Sequence, residues 1–184
     1  GGNTTGETQA AGTTATGSTA ESCITIGVSG TPDLDPAIAA TGSSLIAAIN
    51  MYDTLVHPSD TDEGVTGRVA DSWEVSDDGL VYTFNLKKGI KFHNGEELKA
   101  SDVVYSMDRL LTIGEGYAYI FSDFVDPGTT VAKDDYTVEF HLKQAYGPFL
   151  SALVRLFIVS EKEVTENTDA SGSYGEHGDY GKNY

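Results

Sequence analysis

Hydrophobic and polar residues alternate in two short stretches near the middle of the chain, separated by a polar loop. Trp73 and Val75 lie in the first stretch, and Tyr82, Phe84 and Leu86 lie in the second. The loop between them reads Ser-Asp-Asp-Gly, residue types that tolerate a tight turn and positive φ. This pattern predicts a β-hairpin.

The spacing of apolar residues then changes from two to between three and four. A turn signal at Asn94-Gly95 precedes a segment with the spacing of an amphipathic helix, at residues 101–111. Its apolar positions are Val103, Val104, Met107, Leu110 and Leu111. We expect the hairpin and this helix to pack together as one unit.

Alternation returns at residues 131–142, which we interpret as one further strand of a hairpin. Val138, Phe140 and Leu142 would share one face, with Thr137, Glu139 and His141 on the other. Shorter helices are expected near 43–52 and 148–155. The predicted fold class is therefore α+β, a mostly antiparallel sheet of hairpins with short flanking helices.

Residues 70–95 (ADSWEVSDDGLVYTFNLKKGIKFHNG) and 100–110 (ASDVVYSMDRL) resemble the signature of the family 5 extracellular solute-binding proteins. These proteins are the peptide and nickel receptors of ABC importers. The similarity extends over residues 24–183, where 24–36 resembles the family's first strand and its following loop. Ser160 stands where the family usually has proline.

The resemblance implies the smaller-lobe portion of a periplasmic-binding-protein-like, class II fold. Family members are more than twice as long, so we expect their second lobe to lie beyond Tyr184. Residues 1–20 are expected to form a disordered Gly/Ser/Thr-rich tether, because they contain no large apolar side chain. Residues 21–184 would be the N-terminal part of the solute-binding domain.

The function implied by the resemblance is that of a substrate-binding component of an ABC importer, capturing dipeptides or oligopeptides outside the cytoplasmic membrane. Its partners would be a peptide ligand and a membrane permease, with no cofactor and no enzymatic activity. We expect a monomer in the periplasm or at the cell surface of a bacterium. The tether is similar to that of lipoproteins, which implies an N-terminal lipid anchor; a cloning linker is the alternative.

The same resemblance places several residues at the edge of a ligand cleft. Gly30 and Gly42 would permit close backbone approach to an extended peptide. Tyr117 stands where peptide receptors of the family carry a cleft-lining tyrosine, although an aromatic ring that packs the loop explains it equally well. The predicted site residues are Gly30, Thr31, Pro32, Asp33, Thr41, Gly42, Tyr117 and Tyr119.

Charge and composition narrow the alternatives. The net charge of −17 argues against binding to nucleic acid or to an anionic membrane surface. The single cysteine, Cys23, cannot form an internal disulfide, and beside an apolar strand it is expected to be buried and inert.

Motifs for catalysis or metal binding are not found. A hydrolase is disfavoured because the chain has no Gly-x-Ser-x-Gly elbow. The histidines lack the short spacing of a zinc site, so no metal site is predicted; they are His57, His93, His141 and His177. Residues 60–64 lack two of the ligands that a calcium loop needs and are interpreted as an acidic loop.

Two further functions stay open at this point. The chain could be a stand-alone interaction or scaffold module derived from the smaller lobe, since transport requires the second lobe. It could also belong to a receptor for a nickel chelate, heme or an oligosaccharide.

Overall fold

The computed structural model describes residues 25–61 and 64–167. The helices are α1 (Gly42–Met51), α2 (Ala100–Ile113), α3 (Phe149–Ala152) and α4 (Glu161–Glu166). The strands are β1 (Val56–Pro58), β2 (Val65–Gly67), β3 (Ala70–Val75), β4 (Val81–Leu86), β5 (Thr130–Asp134) and β6 (Thr137–His141). The predicted tether, Cys23, His177 and the segment after Asn167 lie outside the described residues.

The main sheet has four strands in the order β3-β4-β6-β5, and all of its neighbours are antiparallel. Phe84 of β4 pairs with Trp73 on one side and with Val138 on the other. Gly79 adopts φ +69° in the β3-β4 turn, a conformation that favours glycine. The sheet therefore forms as the alternating pattern predicts.

Helix α2 covers the apolar face of this sheet. Its N-terminus is held by the Asp102 carboxylate, which accepts a hydrogen bond from the Lys99 backbone N–H at 2.9 Å. Val103 and Met107 are fully buried against the sheet. Gly114 ends the helix with φ +72° and donates its N–H to the Leu110 carbonyl, as expected of a glycine that follows a helix.

An aromatic cluster fills the space beneath the sheet. The ring of Phe149, at the start of α3, lies 4.8 Å from Tyr82, 6.3 Å from Phe121 and 5.6 Å from Phe140, measured between centroids. Phe149, Phe121 and Phe140 have no exposed surface. Tilted and edge-to-face pairs of this kind add to the stability that burial provides, so this cluster anchors α3 to the sheet.

Two strand predictions need correction. Residues 131–142 do not form one strand, because the Asp134 carboxylate accepts the Tyr136 backbone N–H at 2.8 Å and turns the chain between β5 and β6. Residues 25–28 form no strand, and Ile26 and Val28 are exposed. Nothing among the described residues pairs with them, and a strand needs a partner for its backbone polar groups.

The helix predictions near 43–52 and 101–111 are confirmed, and the one at 148–155 is confirmed as α3 followed by a 3-10 turn, Leu153–Arg155. The pair β1-β2 and helix α4 were not predicted. Ser160 caps α4 by accepting the Glu163 N–H at 3.2 Å, a role open to serine and closed to the family's proline.

Candidate functional site

The segment that precedes α1 is fixed to α2 by a buried ion pair. The two terminal nitrogens of the Arg109 guanidinium, Nη1 and Nη2, each donate to one oxygen of the Asp35 carboxylate at 2.6 Å, and both side chains are 1% exposed. The Asp35 carboxylate also accepts the Ala37 backbone N–H at 3.0 Å. This bidentate contact sets the position of the residues on either side of Asp35.

Ser44 then joins the two ends of the segment. Its hydroxyl accepts the Asp33 backbone N–H at 2.9 Å and lies 2.8 Å from the Thr41 hydroxyl. Thr41 is the N-cap of α1 and accepts the Ser44 N–H at 3.1 Å, as is usual for this residue type. Asp33 and Thr41 are therefore held side by side by one buried serine.

A second loop, at residues 114–117, packs on the middle of this segment. A Cβ atom added to Gly116 would lie 2.7 Å from the Ala37 carbonyl oxygen, and Gly116 has φ +54°. Only glycine allows backbones to approach this closely in that conformation. The approach brings the next residue, Tyr117, alongside the segment that carries Asp33 and Thr41.

Tyr117 belongs to a small aromatic and cationic cluster. Its ring centroid is 6.5 Å from that of Tyr119, and the Arg155 guanidinium carbon lies 5.4 Å from the Tyr117 centroid, within the range of a cation–π contact. Tyr119 is 71% exposed, whereas Tyr117 and Arg155 are half-buried.

Arg155 also lines a groove between α1 and the chain around β1, which we call the α1 groove. Its volume is about 460 Å³. The apolar part of its wall comes from Leu45, Ile49, Val154 and Phe157, and the polar part includes Asp53, His57 and Arg68. Arg68 donates its Nε–H to Asp53 at 2.7 Å, so that carboxylate already has a cationic partner.

The structure brings some of the predicted site residues together: Asp33 and Thr41 meet at Ser44, and Tyr117 lies beside Tyr119. Gly116, next to Tyr117, packs on Ala37 of the segment that carries Asp33 and Thr41. Gly30 and Thr31 are exposed, and a Cβ at Gly30 or Gly42 would meet no atom within 4 Å. Whether these residues contact a ligand stays a prediction.

Sequence reasoning missed Ser44 and Arg155. Ser44 could have been found from the Thr41-Gly-Ser-Ser sequence at a helix start, where a polar residue three positions after the cap is a usual partner. Arg155 gives no such signal, because only the folded chain brings it to Tyr117.

A carboxylate with a large pKa shift lies away from this site, in a cluster of Glu97, Lys99 and Tyr136. The Tyr136 hydroxyl donates to Glu97 at 2.7 Å, and with the Gly89 N–H and Lys99 it lowers the pKa of Glu97 to about 2. The pKa of Lys99 is raised, chiefly by its contact with the Tyr136 hydroxyl. Both shifts favour the charged forms, so the cluster has the character of an ion pair and not of a general acid or base near pH 7.

Among residues 25–61 and 64–167, no three His, Cys, Asp or Glu side chains are grouped so as to hold a metal ion. Within those ranges, no helix has both the length and the apolar character needed to cross a membrane.

Comparison with protein families gives a match to the bacterial extracellular solute-binding proteins, family 5 Middle, over residues 64–178. The probable D,D-dipeptide-binding periplasmic protein DdpA of Escherichia coli is 38% identical over 124 residues, which are 65% of this chain and 23% of that protein. Heme-binding protein A of Haemophilus influenzae is 35% identical over 140 residues, 67% of this chain and 26% of that protein.

A similar fold is found in the periplasmic binding protein DppA of Helicobacter pylori, solved in complex with the peptide STSA. Its TM-score is 0.61 with 33% sequence identity, covering 72% of this chain and 30% of DppA. The chain thus spans about a quarter of the length of the curated relatives it matches.

Proposed function

Because this chain belongs to the bacterial extracellular solute-binding proteins of family 5, we propose that it forms one wall of a peptide-binding cleft in the receptor of an ABC importer. Residues 30–33, Thr41, Gly42, Tyr117 and Tyr119 are the proposed contacts on this wall. The receptor captures dipeptides or oligopeptides outside the cytoplasmic membrane and delivers them to a permease.

The observation that carries this proposal is the joining of two sequence-distant loops into one surface. Gly116 packs on the Ala37 backbone, so Tyr117 lies beside the segment that Ser44 and Arg109 hold in place. An extended peptide that passes along such a surface pairs with exposed backbone, and aromatic rings flank it. Exposed Gly30 and Gly42 leave room for that approach.

The proposed receptor has two lobes, and residues 21–184 supply the N-terminal part of its solute-binding domain. A ligand is enclosed when such lobes close by hinge motion. We propose a monomer held to the membrane by a lipid anchor that precedes a tether at residues 1–20, and we propose no enzymatic step. The acidic surface, with a net charge of −17, favours solubility.

Heme is the second candidate ligand, because heme-binding protein A matches this chain with 35% identity. A flat aromatic ligand would stack on Tyr117 or Tyr119, whereas a peptide would pair with the backbone of residues 30–33. A peptide would also contact Tyr117, so the contacts at residues 30–33 distinguish the two candidates.

The test is a calorimetric titration of the full-length native protein that carries this sequence. Dipeptide and tripeptide pools and hemin are the ligands, and Tyr117→Ala and Tyr117→Phe are the variants. We expect saturable peptide binding, a loss of about tenfold or more in Tyr117→Ala, which would correspond to about 1.4 kcal/mol, and a small loss in Tyr117→Phe. If the protein binds hemin but no peptide, the ligand is heme and not a peptide. If it binds neither, the proposed function is contradicted.

A further inference from the structure

We propose that Arg155, supported by the ring of Tyr117, binds a carboxylate group of the ligand. This inference rests on the proposed function and adds to it a ligand chemistry: a peptide or related solute that presents a carboxylate, from an acidic side chain or from its C-terminus, next to Tyr117.

The first support is that Arg155 differs from the other arginines of the chain. Arg109 holds Asp35 through two contacts at 2.6 Å, and Arg68 holds Asp53 at 2.7 Å. Within residues 25–61 and 64–167, the Arg155 side chain makes no hydrogen bond and no ion pair, and its partner is the Tyr117 ring. Its guanidinium donors are therefore available.

The second support is the manner in which Tyr117 holds the guanidinium. The Arg155 guanidinium carbon lies 5.4 Å from the Tyr117 ring centroid, so the ring contacts the cation without forming a conventional hydrogen bond to it. The guanidinium donors form a planar fork that fits a carboxylate through two parallel hydrogen bonds. The ring thus holds Arg155 near the proposed contacts and supplies no carboxylate of its own.

The third support is burial. Arg155 is half-buried at the end of the 3-10 turn that follows α3, so its charge is partly removed from water, and no carboxylate of residues 25–61 or 64–167 pairs with it. That state is costly, and an incoming carboxylate relieves the cost. The acidic side chain that lines the same groove, Asp53, is already occupied by Arg68.

The chain as a whole disfavours anions, because its net charge is −17. Long-range attraction therefore does not bring a carboxylate to this place. Recognition must come from short-range contact at Arg155, and a single substitution there should remove it.

The experiment uses the full-length native protein and two matched pairs of tripeptides. In the first pair a glutamate is replaced by glutamine, and in the second the C-terminal carboxylate is replaced by an amide. The variants are Arg155→Gln, Arg155→Lys and, as a control for the loss of a positive charge alone, Lys162→Gln. Lys162 lies on α4, and its exposed ammonium group pairs with Glu96.

We expect one of the two pairs to show a loss of about tenfold or more when its carboxylate is removed, as for a charge-assisted hydrogen bond. Arg155→Gln should abolish that discrimination, so that the two peptides of the responding pair bind it with similar affinity. Arg155→Lys should keep part of it, because it retains the charge but not the fork. Lys162→Gln should behave as the wild type. The pair that responds identifies the source of the carboxylate.

Two outcomes would overturn the inference and they are distinguishable. If peptides bind but Arg155→Gln changes the discrimination of neither pair, Arg155 does not contact a carboxylate and the proposed function is unaffected. If the wild type binds no peptide, the proposed function fails and this inference fails with it. A melting curve for each variant shows whether a change in affinity follows from unfolding.

Discussion

Removing the Arg109 side chain should destabilise the chain more than removing any exposed arginine, because it leaves the Asp35 carboxylate buried without a counter-charge. Both side chains are 1% exposed, and two N–H···O contacts of 2.6 Å join them. The change Arg109→Met keeps most of the apolar volume and removes the charge. Asp35→Asn removes the charge on the other side and keeps an oxygen that can accept the Ala37 N–H.

Breaking a buried pair by removing one partner costs about 3–5 kcal/mol. For a chain of this size each kcal/mol lowers the melting temperature by about 2–4 °C, so either single variant should melt about 6–20 °C lower. The double variant leaves no unpaired charge, and its cost should be less than the sum of the two single costs.

The assay is urea unfolding followed by circular dichroism and by fluorescence of Trp73, the chain's single tryptophan. The matched control is Arg68→Met, which removes an arginine that also pairs with an aspartate, through one contact, in a pair whose side chains are 58% and 43% exposed. An exposed pair contributes about 0–1 kcal/mol. If Arg109→Met lowers the free energy of unfolding no more than Arg68→Met does, the buried Arg109–Asp35 ion pair does not stabilise the contact between α2 and the segment before α1.

The other predictions concern packing and pH. Gly116→Ala should lower the free energy of unfolding by about 2 kcal/mol or more, because the added Cβ would lie 2.7 Å from the Ala37 carbonyl oxygen and φ is +54°. Gly42 has open space around it, so Gly42→Ala should leave the melting temperature unchanged or raise it. Phe149→Ala should cost about 3–5 kcal/mol in urea unfolding, and Trp73→Ala less, because Trp73 is half-buried at the sheet surface. The pKa of Glu97 is lowered to about 2, so its contribution to stability is present above pH 4.5 and is lost as the pH falls toward 2. In Glu97→Gln the free energy of unfolding should therefore fall less between pH 4.5 and pH 2 than in the wild type. An identical pH dependence in the two proteins would exclude this contribution.

Much of the fold follows from short-range pattern. The β3-β4 turn at residues 76–79 and helix α2 are set by alternation, by turn residues and by apolar spacing, all of which are local. Tyr82, Phe84, Val138 and Phe140 are buried as the alternation predicts.

The features that the sequence prediction missed, the β5-β6 turn and the partial exposure of Trp73, depend on contacts that a pattern of apolar and polar residues does not indicate. Residues 136–142 alternate but residues 131–135 do not, and the chain turns where the Asp134 carboxylate accepts the Tyr136 backbone N–H. Trp73 alternates like a core residue, yet it lies on β3, which among the described residues pairs with a strand of this sheet on one side only. Strand β3 therefore leaves its tryptophan half-exposed.

The candidate site was predicted from resemblance and not from physics, since its members are exposed glycines and polar residues without periodicity. The tertiary links between them are visible only in the folded chain: Ser44 between Asp33 and Thr41, and Gly116 against Ala37. Arg155 and Tyr117 are 38 residues apart in the sequence, and no local pattern indicates that they are in contact.

The most direct test of the central claim is hydrogen–deuterium exchange of the full-length native protein, with and without a saturating pool of dipeptides and tripeptides. We predict slower exchange of backbone amides in residues 30–33, 41–44 and 116–120 when peptide is bound, because those amides would be covered or rigidified. Unchanged exchange at these amides, under conditions in which calorimetry shows the peptide to be bound, would contradict the assignment of this surface as a wall of the cleft.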